Sequence, residues 1–208
     1  MREWQEWHRS YEDPSSSLAR RLTVVRGRVA EALAATRESP IRILSLCSGD
    51  GRDLLPVLAR TAQPTHTALL IEQDPTLAET ARRTAADLNL DCVTVITADA
   101  GDPAHFAGAP PVNLLLLCGI FGNVSELDIK TIVTATPALL RDGGTVIWTR
   151  GGRDPDLRPT IRGWFTQAGL REVAFDSEPA GFGVGVAIKP AGARTESRMP
   201  PRLFRFIR

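Results

Sequence analysis

One short stretch decides the fold of this chain: it reads IRILSLCSGDG from residue 41 to residue 51. Residues 41–47 are nearly continuous in apolar character, which is typical of a strand buried on both faces of a parallel sheet. Residues 48–51 then form a glycine turn, and an apolar pattern at helical spacing begins at Leu54. Pro56 fits such a helix only in its first turn, so the helix must begin close to the glycines.

The alternation of strand and helix continues toward the C-terminus. Further strands are predicted at residues 67–71, 92–97, 112–118, 145–149 and 170–175. For a seventh strand there are two candidates, residues 183–188 and residues 203–207, and we prefer 203–207. Strands that alternate with helices favour a parallel sheet with helices on both faces. The predicted fold class is therefore α/β, a doubly wound, mostly parallel seven-stranded sheet with one antiparallel strand near its end.

The segment before the first strand is expected to form a lid and a helix. Ser15 to Ser17 offer N-caps, and an apolar stripe follows at helical spacing until about Glu38, just before Pro40. We expect residues 1–40 to be this lid segment and helix, and residues 41–208 to be one globular domain. A homodimer stays open at this point.

Composition and charge narrow the range of functions. The chain has 208 residues, 43% hydrophobic content and a formal net charge of +1. That charge favours neither nucleic acid nor an acidic membrane surface as a partner, and no apolar run approaches the roughly 20 residues that span a bilayer. The three cysteines lack the spacing of a zinc site, so we expect no metal and three reduced thiols in a cytoplasmic protein.

A strand, a glycine turn and a helix together build a nucleotide-sized site. Glycines let the main chain approach a ligand closely, and the helix start offers free N–H groups. Glu72, at the end of the second strand, lies 21 residues beyond Gly51, close to the spacing of about 20 at which an acid binds ribose hydroxyls. Asp74, two residues later, reads as the cap of the next helix.

At these positions the sequence resembles the class I S-adenosylmethionine-dependent methyltransferase family, from about residue 41 to residue 175. The resemblance implies S-adenosylmethionine as the cofactor, with Glu72 on the ribose and Asp99 on the adenine. The cofactor-binding positions that it implies are Ser45, Cys47, Gly49, Gly51, Glu72, Asp99, Ala100, Cys118 and Gly119. Ser45 stands where the family has an acid, and Cys47 stands where it has its first glycine.

The methyl acceptor is expected beyond the carboxyl ends of the strands. Methyl transfer needs alignment and exclusion of water more than a strong base. Candidate pocket residues are Trp4, Trp7, Phe121, Asn123, Trp148 and Arg150. Of the catalytic candidates, His8 could remove a proton from the acceptor and Tyr11 could orient it. The expected partner is a small-molecule methyl acceptor, and neither a membrane nor a nucleic acid is expected.

Three other functions remain open. An RNA methyltransferase could use the five arginines between residue 191 and residue 208. A non-catalytic protein that binds S-adenosylmethionine would share the same site. A nicotinamide-dependent oxidoreductase would share the fold, but its fingerprint needs a small residue where this chain has Leu54.

Overall fold

The computed structural model describes residues 11, 13–37, 39–61, 65–106, 108–179, 181–193 and 199–207. Within them lie five α-helices: α1 (Ser17–Ala35), α2 (Leu55–Thr61), α3 (Pro75–Asp87), α4 (Glu126–Leu139) and α5 (Arg158–Gln167). The seven strands are β1 (Arg42–Leu46), β2 (Thr67–Glu72), β3 (Val93–Thr97), β4 (Val112–Leu117), β5 (Leu140–Gly151), β6 (Arg171–Ser177) and β7 (Phe182–Ile188). Residues 1–10, which include the predicted site residues Trp4, Trp7 and His8, lie outside the described part.

The strands form one sheet in the order β3-β2-β1-β4-β5-β7-β6. The pairs from β3 to β5 are parallel, whereas β7 runs antiparallel to both β5 and β6. The predicted fold class is confirmed: the sheet is doubly wound, mostly parallel and seven-stranded. Strands are added on one side of β1 up to β3 and on its other side from β4 onward. This change of side opens a crevice at the carboxyl ends of β1 and β4, which is where ligands bind in open α/β sheets.

Two apolar cores hold the helices on opposite faces of the sheet. On one face, α1, α2 and α3 bury side chains such as Val29, Leu58 and Ala81. On the other face, α4 and α5 bury Ile132 and Phe165, among others. The side chains of β4 are all buried because the strand lies between the two cores. Helix α1 belongs to this packing, since its buried stripe faces the sheet.

The helix starts follow the capping residues of the sequence. The Ser16 hydroxyl accepts a hydrogen bond from Ala19 N at 3.0 Å and starts α1. The Asp74 carboxylate accepts from Thr76 N and Leu77 N at the start of α3, as predicted. None of the helices in the described ranges has the length and hydropathy that a bilayer crossing requires.

The preference for residues 203–207 as the seventh strand was wrong. The seventh strand is β7, and residues 203–207 form only an isolated bridge between Phe206 and Val124. Glycines 183 and 185 made residues 183–188 the weaker candidate in the sequence, but the packing around β7 requires both glycines. A Cβ at Gly185 would lie 2.2 Å from the Trp148 ring, and one at Gly183 would lie 3.0 Å from the Phe175 ring.

Candidate functional site

A cavity of about 470 Å³ opens at the carboxyl ends of β1, β2 and β4. Six of the predicted cofactor residues line it, namely Cys47, Gly49, Glu72, Ala100, Cys118 and Gly119. Tyr11, the one predicted catalytic residue in the described part of the chain, also lines it. The structure therefore brings together residues from five separate parts of the sequence at the crevice that the topology creates.

The glycine turn shapes the floor of this cavity. Cys47, Gly49 and Gly51 all have positive φ, at 55°, 57° and 76°. A Cβ at Gly49 would meet nothing within 4 Å, so the main chain there stays open to a ligand, whereas one at Gly51 would lie 2.6 Å from Leu55 Cδ1. Gly51 thus serves the packing of the turn on α2. Cys47 also adopts the left-handed conformation, although this conformation normally favours glycine.

The carboxylate of Glu72 is held at the cavity by two backbone amides. Gly49 N donates to Glu72 Oε2 at 2.7 Å, and Asp74 N donates to Oε1 at 2.9 Å. The residue is only 9% exposed, so its position is fixed by the turn on one side and by the start of α3 on the other. Each carboxylate oxygen keeps a further lone pair. Two adjacent hydroxyl groups of a ligand are suitable donors for them.

The end of the cavity next to β4 carries charged groups that the sequence did not single out. Asp53 and Arg21 both line it, beside Tyr11 and Cys118. Burial is the main reason that the pKa of Asp53 is raised, and the nearby Arg21 guanidinium opposes part of that rise. Burial also raises the pKa of the Cys118 thiol well above its ordinary value. Arg21 lies on α1 and Asp53 lies just before α2, and neither residue belongs to a motif that the sequence analysis identified.

Tyr11 lies against two arginines at this end. Arg21 Nη2 donates to the Tyr11 hydroxyl oxygen at 2.5 Å, and the Arg52 guanidinium lies 4.3 Å from the centre of the ring. Arg52 in turn pairs with Asp50. Burial is the largest cause that raises the pKa of Tyr11 to about 12. Tyr11 is therefore a neutral phenol at physiological pH and is suited to orienting a ligand, not to removing its proton.

The carboxylate of Asp99 is held by contacts within the protein. The residue is absent from the described residues that line the cavity, although its neighbour Ala100 is present. Its carboxylate accepts from Gly101 N at 2.8 Å and forms an ion pair with Arg202. The adenine contact expected of Asp99 stays a prediction. Ser45 is likewise buried in β1 and is not among the described lining residues.

The predicted acceptor residues in the described part of the chain are also not among those that line the cavity. Phe121 and Trp148 are buried in the core, with ring centres 5.9 Å apart, and Trp148 stacks on Phe165 at 5.7 Å. Asn123 Nδ2 donates to Gly119 O at 2.8 Å, and Arg150 donates to Phe121 O. Asn123 and Arg150 therefore hold the turn after β4 through its backbone carbonyl groups, and Phe121 and Trp148 pack in the core.

Similarity to known proteins is found in structure and not in sequence. No protein-family model matches the chain, and no curated protein sequence matches it. An O-methyltransferase family protein from Burkholderia thailandensis superimposes with a TM-score of 0.67 at 17% identity, over 82% of this chain and 56% of that chain. The magnesium protoporphyrin IX methyltransferase of Synechocystis PCC 6803, crystallised with SAM, gives a TM-score of 0.66 at 12% identity, over 90% and 91% of the two chains.

A third structure extends the same pattern. An O-methyltransferase family 2 protein from Planctomyces limnophilus, in complex with apigenin, gives a TM-score of 0.64 at 21% identity, over 83% of this chain and 60% of that chain. This chain thus spans little more than half the length of the two O-methyltransferase chains. The strand order, the crevice and these superpositions agree. The chain has the Rossmann-like fold of the class I S-adenosylmethionine-dependent methyltransferase family.

Proposed function

We propose that the chain is an S-adenosylmethionine-dependent methyltransferase that methylates an oxygen or nitrogen atom of a small, partly apolar molecule. The observation that carries the proposal is the Glu72 carboxylate, which is buried, faces the cavity and is tied to Gly49 of the glycine turn. A ribose with two adjacent hydroxyl groups is the ligand that satisfies both of its oxygens.

The residues at the cavity fit this cofactor. The Ser48 hydroxyl is buried at the cavity and has no hydrogen-bond partner among the described residues, which suits a polar ligand because buried polar groups are normally paired. The open main chain at Gly49 and Gly119 lets a ligand approach the backbone. The cofactor's amino-acid end carries one ammonium and one carboxylate. Asp53 supplies a negative group for the ammonium, and Arg21 supplies a positive group for the carboxylate.

S-Adenosylmethionine, when bound, supplies a methyl group on a positively charged sulfur. The work left to the protein is alignment and the exclusion of water. We assign the orientation of an acceptor to the Tyr11 hydroxyl, and the position of Tyr11 in the cavity lining supports this role. Removal of a proton by His8 remains a proposal that concerns a residue outside the described ranges.

The proposed acceptor is a small molecule, and the near-neutral charge of the chain supports it. Salt-dependent binding to bulk tRNA would instead favour the RNA methyltransferase. We also propose a cytoplasmic location, which the three free thiols of Cys47, Cys92 and Cys118 support. The homodimer stays a proposal.

Thermal unfolding with added ligands tests the proposed cofactor. S-Adenosylhomocysteine, the product form of the cofactor, should raise Tm by roughly 5–10 °C when its concentration is about 100 times Kd. NADH at the same concentration should leave Tm unchanged. A shift with NADH and none with S-adenosylhomocysteine would favour the nicotinamide-dependent oxidoreductase and reject the methyltransferase. Turnover of labelled methyl groups then separates the enzyme from a non-catalytic binding protein.

A further inference from the structure

Residues 199–207, here called the C-terminal strap, run across the carboxyl edge of the sheet. Leu203 N donates to Gly101 O at 2.8 Å, just after β3, and Ile207 N donates to Asn123 O at 2.9 Å, just after β4. In the sheet order, β2 and β1 lie between these two strands. The strap therefore connects the two loops on either side of the cavity mouth.

The strap is anchored by burial as well as by hydrogen bonds. Leu203 and Phe204 are 0% and 1% exposed and belong to the core beneath α4 and α5. Gly101 allows the close approach, because a Cβ there would lie 2.3 Å from Phe204 O. The Arg202 guanidinium pairs with Asp99, the acid expected at the adenine. These contacts fix where the next side chains of the strap must lie.

Phe206 is the residue of the strap that lines the cavity. Its ring makes an edge contact with the buried Phe204, with ring centres 5.5 Å apart, and its backbone bridges to Val124. Leu77 and Ala100, from α3 and from the loop after β3, supply further apolar lining. A flat heteroaromatic ring is the part of the proposed cofactor that such a surface suits, since nucleobases gain binding energy by stacking on aromatic side chains.

We propose that Phe206 forms a wall of the adenine subsite, so that the C-terminal strap, and not Asp99, completes the nucleoside end of the cavity. This inference rests on the proposed function. Glu72 holds the ribose at the end of β2, and the base then extends toward Ala100 and the strap. Arg202 supports the arrangement by holding Asp99 in a protein contact.

The test is calorimetry with two ligands that share the nucleoside: S-adenosylhomocysteine and 5′-methylthioadenosine, which lacks the amino-acid end. Phe206→Ala should weaken both by about the same factor, on the order of 10-fold. Phe206→Leu keeps the apolar bulk and should show a smaller loss, while Phe206→Tyr should bind both ligands nearly as well as wild type. Ile207→Ala, at the neighbouring exposed position, is the matched control and should bind both unchanged.

Unchanged affinity of Phe206→Ala for both ligands would overturn the inference. A loss for S-adenosylhomocysteine alone would overturn it as well, because it would place the ring at the amino-acid end. If Phe206→Ala fails to fold, the comparison of Phe206→Leu with Phe206→Tyr decides: equal affinities reject the stacking role. Wild-type protein that binds neither ligand would reject the proposed function itself, which is a different result.

Discussion

The carboxylate of Asp53 lies at the cavity beside the Cys118 thiol, and burial raises its pKa above the ordinary value of 3.8. The folded chain therefore holds this proton more tightly than the unfolded chain does. The resulting stabilisation is complete below pH 3.8 and is lost as the pH rises through the folded-state pKa. At neutral pH the charged group costs stability, and a role in binding the cofactor's ammonium would explain why a carboxylate is found there.

Asp53→Asn should therefore change stability and binding in opposite directions. We expect a higher free energy of unfolding than wild type at neutral pH, with the gain vanishing in acid, because the amide carries no charge to bury. We also expect about 10-fold weaker binding of S-adenosylhomocysteine, since a charge-assisted hydrogen bond is lost. Urea unfolding across the pH range and calorimetry measure the two effects.

The control for this variant is Asp87→Asn, at the exposed end of α3. It should alter neither the stability profile nor the affinity. Asp53→Asn that is less stable than wild type at neutral pH would show that the carboxylate is a stabilising partner of Arg21. Unchanged affinity would remove Asp53 from the cofactor site.

Single residues differed in how far the sequence could place them. Glu72 follows a buried strand at a known distance from the glycine turn, and the structure places it at the cavity. Asp99 has the same kind of position, but its surroundings include Arg202, which lies 103 residues away in the chain. Trp148 lies near the carboxyl end of β5, yet its ring stacks on Phe165 of α5. Long-range pairing and side-chain direction leave no local pattern in a sequence.

At the scale of elements, the alternating pattern predicted the six strands β1 to β6 and, of its two candidates for the seventh strand, favoured the wrong one. A strand was predicted from apolar alternation, and residues 203–207 show it more clearly than the glycine-rich β7. The glycines of β7 exist because aromatic side chains from β5 and β6 occupy the space where a Cβ would be. Because this requirement comes from neighbouring strands, it cannot be predicted from the strand propensities of residues 182–188 alone.

Two alanine substitutions test this explanation of β7. Gly185→Ala should lower the free energy of unfolding by about 2 kcal/mol or more, because its methyl group would collide with the buried Trp148 ring. Gly163→Ala, within α5, meets nothing within 4 Å and should raise it by roughly 0.5–1 kcal/mol, because alanine favours helix. Chemical denaturation measures both. Equal effects of the two substitutions would contradict the packing argument.

At the scale of the whole molecule, the site is assembled from parts that are far apart in the chain. Tyr11 and Arg21 come from the N-terminal side, the glycine turn and Glu72 from the first half of the sheet, and Phe206 from the C-terminal strap. Only the middle group follows the family resemblance. The fold positions the cavity, while the segments around Tyr11 and Phe206 supply part of its walls.

The proposed cofactor depends on the ribose contact that we propose for Glu72. Calorimetry of S-adenosylhomocysteine with wild type, Glu72→Gln and the control Glu79→Ala, a half-exposed residue of α3, tests it most directly. We predict measurable binding to wild type, the same binding to Glu79→Ala, and a loss of at least about 10-fold in a folded Glu72→Gln, because charge-assisted bonds to hydroxyl groups are weakened. Equal affinity of Glu72→Gln and wild type, or no heat from wild type, would contradict it.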